Sequence, residues 1–190
     1  MSRLGTTTAG TWLERLAVVL VALVLAVGLI GILSGFFQSR DQPGVSGNPN
    51  DVVGLQFRDL GHAYLVPGAP RPAYDSIPPT SGAHIPAPVT HDAAQLSDDQ
   101  LLQALELGDV VIVYGSPAPP LGLQALARGV AGPFTPALAS AGQAVITARR
   151  PGTSGLIGLA WTRMVRVRSP SDPSLRDFAS QWLGHGALRR

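Results

Sequence analysis

The chain has 190 residues, 45% of them hydrophobic and only 14% charged. It contains no cysteine, which excludes disulfides, thiolate metal sites and cysteine nucleophiles together. Every base is an arginine, and residues 40 to 190 hold 12 of them (14 less Arg3 and Arg15) against 11 acids (12 less Glu14). That balance provides no basic field for nucleic acid, so no nucleic-acid partner is expected.

The first element in chain order is apolar. Leu16 to Phe37 reads LAVVLVALVLAVGLIGILSGFF, 22 residues without a charge. At 1.5 Å per helical residue it spans about 33 Å, the thickness of a bilayer core. The run is too long for the apolar stretch of a signal peptide and ends in the bulky Phe36 and Phe37 instead of a small-residue cleavage site. The expectation is an uncleaved signal anchor: residues 1–15 in the cytoplasm, a transmembrane helix over 16–37 in the lipid bilayer, and an extracytoplasmic domain beyond it. Arg3 and Arg15 on the N-terminal side, against Arg40 after the helix, give the orientation. Gly28, Gly31 and Gly35 form a small-residue stripe that suits close approach by another membrane helix, or simply reflects the frequency of glycine in such helices.

Residues 38–51 are turn-forming and read as a flexible linker, which places the folded domain at 52–190. Gly61 to Val66 has the composition of a short strand. The proline-rich stretch from Pro67 to Pro88, with Pro78 and Pro79 adjacent, is incompatible with a helix or a central strand and must be a loop. Ser97 and Gln100 form a capping-box pattern, and Leu101, Leu102 and Leu105 recur at helical spacing up to Gly108, which predicts a helix over 98–107. The β-branched run Val110 to Tyr114 predicts a strand buried on both faces, at the centre of a sheet. A helix is expected over 121–128, strands over 143–149, 155–161 and 164–167, and a last helix over 173–183 capped by Asp172 with Pro173 at its first position. The fold class is therefore α+β, a small mixed sheet with about three helices.

The segment YDSIPPTSGAH, Tyr74 to His84, closely resembles the signature of a bacterial family, domain of unknown function 3105. The resemblance extends through Gly61-His62, LLQALELGDVVIVY, AWTR and WLGHG, about residues 55 to 185. It implies a membrane anchor joined to a small exported domain, and it implies no known activity. It also implies histidine at the positions held here by Gln103 and Leu107, leaving Glu106 and Gly108 of a His-x-x-Glu-His-Gly helix end.

The candidate ligand-binding residues are His62, Ser81, His84, Gln103 and Glu106. Two imidazoles and a carboxylate, His62, His84 and Glu106, are chemically sufficient for a zinc or copper site if they converge, with His91 as a further donor. The alternative is that His62 and His84 bond loop backbone and Glu106 pairs with an arginine. Ser81 and Gly82 suit a sharp turn that either presents His84 or forms a purely structural corner. Thr80 and Ser81 lack a nucleophile elbow, and no phosphate loop or dinucleotide fingerprint occurs. Arg149, Arg150, Arg163, Arg166 and Arg168 bias the last strands towards anionic lipid or an acidic partner, or form a solvated face. The first expectation is thus a non-catalytic, membrane-anchored binding or accessory domain with a degenerate family site, no cofactor, and a membrane-protein partner. The rival is a metal-binding protein or metal-dependent enzyme using His62, His84 and Glu106.

Overall fold

The computed structural model describes residues 53–187. The expected cytoplasmic segment, membrane helix and linker lie outside the described residues, among which no helix is long and apolar enough to cross a membrane. The elements run β1 (Leu55–Gln56), α1 (Asp98–Leu107), β2 (Val110–Tyr114), α2 (Leu123–Ala131), α3 (Pro136–Ser140), β3 (Val145–Arg149), β4 (Leu156–Ala160), β5 (Arg163–Val167) and α4 (Pro173–Trp182). The mixed α+β class is as the sequence predicts.

The five strands form one sheet in the order β1-β5-β4-β2-β3, parallel between β2 and β3 and antiparallel elsewhere. β2 is buried at every residue, as its β-branched run requires, but it is not the central strand: β4 holds the middle of the sheet, and β2 lies between it and the edge strand β3. Alternation along the strands then divides the core. Val111, Val113, Ile146, Ala148, Ile157 and Leu159 pack under Leu101, Ala104 and Leu105 of α1. Val110, Ile112, Val145, Leu156 and Val165 pack on the other face against Leu123 and Leu126 of α2 and Leu175 and Phe178 of α4. The result is a helix layer on each side of the sheet.

Three expectations need correction. Gly61 to Val66 is not a strand: within it only Tyr64 makes a bridge, a parallel one to His84, because Pro67 ends the pairing and no further strand lies alongside. There are four helices among the described residues, since Thr135 caps a five-residue turn of helix with Pro136 at its start. β1 was not expected either, being only two residues paired to Met164 and Arg163.

The proline-rich stretch is an ordered loop laid over α1. Thr80 O accepts from Thr162 N at the β4–β5 turn, and Tyr74 Oη donates to Ala83 O. Gly82 has φ 125, and a Cβ there would stand 2.8 Å from the Tyr74 ring, so no other residue fits.

Candidate functional site

Helix α1 differs from an ordinary surface helix because its polar face is buried as well. Its apolar face meets the sheet, while Asp99 and Glu106, two turns apart and therefore on one side, turn under the 57–91 loop. Near the start of the helix Asp99 accepts from Arg71 Nη1 at 2.7 Å and from Ile85 N at 2.9 Å. The Arg71 guanidinium holds the Asp99 carboxyl below its ordinary pKa. This anchors both ends of the loop's central stretch to one carboxylate.

Glu106, in the last turn, is fully buried and is the centre of the candidate site. Its Oε2 lies 3.1 Å from His84 Nε2, and its Oε1 lies 3.3 Å from His62 Nδ1 and accepts from Tyr64 Oη at 3.1 Å. The loop brings these groups together by running beside itself. Gly82 N donates to Gly61 O, His84 N to Ala63 O, and Leu65 N to His84 O, so residues 61–65 lie alongside 82–84. Alternation along that extended stretch then puts His62 and Tyr64 on the same side.

His84 has no exposure and both ring nitrogens face protein groups, Nδ1 at 3.0 Å from Gly82 O and Nε2 towards Glu106. A carbonyl only accepts, so the Nδ1 contact needs a hydrogen on Nδ1, while Nε2 and Glu106 Oε2, though close, are both buried without a hydrogen-bond partner. His62 is different: its side chain is 48% exposed and only Nδ1 is engaged among the described residues. Tyr64 is 57% exposed, and burial of its hydroxyl first, then Glu106, raises its pKa, while Gln103 acts on that hydroxyl in the opposite direction.

The structure thus assembles His62, His84 and Glu106, and brings Gln103 within reach of Tyr64. Ser81 is buried away from any ligand: its Oγ accepts from Leu60 N and donates to Arg58 O, a staple inside the loop. His91 bonds Thr90 Oγ1 on the exposed part of the loop. Leu107 turns to a small cavity together with Gln103 and Asp109. The sequence reading missed Tyr64, whose signal was its i, i+2 relation to His62, and Asp99, whose signal was its two-turn spacing from Glu106. Among the described residues no group of three or more His, Asp or Glu side chains is arranged to hold a metal ion. His84 Nδ1 is taken by Gly82 O, while His84 Nε2 and Glu106 Oε2 face each other without forming a hydrogen bond. Four of the five arginines of the last strands have partners within the domain: Arg150 pairs with Asp98, Arg149 Nε donates to Ser116 O, Arg166 donates to Ile77 O, and Arg163 lies over the Trp182 ring.

The family model described as Protein of unknown function (DUF3105) matches residues 69–187. The chain belongs to this family. The matched DUF3105 region takes in His84, Gln103 and Glu106 and starts just after His62 and Tyr64. No curated protein and no solved structure matches the chain.

Proposed function

We propose that this DUF3105 member is a single-pass membrane protein whose domain is held outside the cell membrane as a binding or accessory module, with the His62–Tyr64 strip as its ligand-facing surface. One observation carries the reading: His62 and Tyr64, each about half exposed, share one oxygen of a fully buried carboxylate. A buried acceptor fixes both polar tips before any ligand arrives, so little side-chain entropy remains to be lost on binding. The groups that catalysis would need are spent internally. Ser81 bonds backbone in both directions, Thr80 is buried against Ser76, and His84 is fully buried with Nδ1 held by Gly82 O. The anchor is supported by the uncharged run from Leu16 to Phe37.

The test is capture of a membrane-protein partner from detergent-solubilised membranes after crosslinking. The natural chain retains a partner that the His62→Ala, Tyr64→Ala double variant, still folded, does not. Equal capture by both moves the ligand surface elsewhere.

The convergence of His62, His84 and Glu106 favours a second reading, a zinc- or copper-holding site. Metal analysis of the purified protein separates the two. Stoichiometric metal that disappears in His84→Ala, with the fold retained, selects the second reading, and a metal-free folded protein selects the first.

A further inference from the structure

On the side of α1 away from His84, a cavity of about 20 Å³ is lined by Gln103, Ala104 and Leu107, by Asp109 just after the helix, by Pro88 and Val89 of the loop, and by Ala139 and Ser140 of α3. Two buried oxygens on its wall have no protein partner, Asp109 Oδ2 and Gln103 Oε1. Asp109 is 1% exposed, and its other oxygen is committed, accepting from Ala144 N at 2.8 Å. Leaving two such polar atoms bare is unfavourable, and most buried polar atoms in folded proteins find a partner.

The bridging species must donate to Gln103 Oε1, since an amide oxygen only accepts, and must meet Asp109 Oδ2, which donates when protonated and accepts when ionised; no arginine or histidine lines the cavity. It must also be small. The volume matches about one water, the smallest molecule that donates two hydrogens in different directions. We propose that the cavity is a structural water site, in which one ordered water donates to Gln103 Oε1 and bonds Asp109 Oδ2, and so links the start of β2 to the polar face of α1.

The link fixes an otherwise ambiguous group. A Gln amide is nearly symmetrical in shape, and only its partners decide which end is oxygen. A water donating to Oε1 holds the amide oxygen inward. Asp109 is therefore a positioning residue: through the water it holds the Gln103 amide in one orientation. The inference does not depend on what His62 and Tyr64 bind.

The test is nuclear magnetic resonance on the isotope-labelled full chain in detergent micelles. The natural chain should show a cross-relaxation peak between a long-lived water and the Gln103 side-chain protons, and a single well-resolved Gln103 NH₂ pair. Asp109→Leu, which removes one polar partner and fills the space, should abolish the water peak and average or shift the NH₂ pair. A peak from the natural chain supports the site even if Asp109→Leu does not fold. Thermal melts at equal ionic strength in sodium, ammonium and magnesium chloride provide the other arm. Equal melting temperatures support water as the occupant. A dry cavity overturns the proposal, and so does saturable stabilisation by one cation that Asp109→Asn removes.

Discussion

At the scale of single residues, Glu106 separates a buried contact from an exposed one. Replacing it by Leu leaves His84 Nε2 facing an apolar side chain in a fully buried place, and a buried polar group stranded in this way costs about 1–3 kcal/mol. Urea denaturation should record that loss for Glu106→Leu. His62→Ala, which removes a half-exposed partner of the same carboxylate, should cost under about 1 kcal/mol. Asp109 makes a pH prediction. Burial raises its pKa from 3.8 to about 8, so the folded state holds the proton more tightly than the unfolded one. Stability from this group is fully present below about pH 4 and is lost as pH rises to about 8, at up to about 1.4 kcal/mol per pH unit. Asp109→Asn keeps an oxygen for Ala144 N and should flatten the stability–pH curve in that window, while an unchanged slope would assign it to other groups. Of these residues, His62, His84 and Glu106 were legible as ligand-capable types, but their meeting was not. It depends on residues 61–65 lying alongside 82–84, a pairing set by tertiary hydrogen bonds that no periodicity encodes. Asp109 carries still less signal, since an acid after a helix-ending glycine is usually solvated.

Among the elements, those with strong local chemistry were readable and those defined by their neighbours were not. Ser97, Gln100 and Gly108 bound α1 as the capping pattern predicts, and the Val110 to Tyr114 run is a fully buried strand. β1 is two exposed residues that become a strand only by pairing with β5, and α3 is one capped turn, too short for a helical period. The burial of β2 makes a direct prediction. Val111→Asp or Val113→Asp places an unpaired carboxylate among Leu101, Leu105, Ile146 and Ile157, at a cost of several kcal/mol that approaches the stability of a whole domain. Neither variant should show a cooperative melt. Positions 103 and 107 of α1 line one cavity with Asp109, which refines what restored histidines would do. The Gln103→His, Leu107→His double variant should bind zinc saturably in calorimetric titration, using the two imidazoles one turn apart and the Asp109 carboxylate. Addition of Asp109→Asn should then weaken the binding. Zinc binding that is indifferent to Asp109 would place the third ligand on the Glu106 side.

For the whole molecule, the orientation proposed for the Leu16 to Phe37 run predicts that protease added to intact spheroplasts removes the domain. Protection until lysis would reverse the topology. The described part of the chain begins against α4. Val53 N donates to Gln181 Oε1 and Trp182 Nε1 donates to Val53 O, so the entering chain is clasped by α4 before it reaches the two-residue β1. That clasp is mechanical as well as structural. A pull from the N-terminal side meets two side-chain hydrogen bonds and one short edge pairing, arranged in series ahead of the sheet centre. Under load this peripheral clasp should peel first, acting as a fuse that yields while β2, α1 and the Glu106 cluster stay folded.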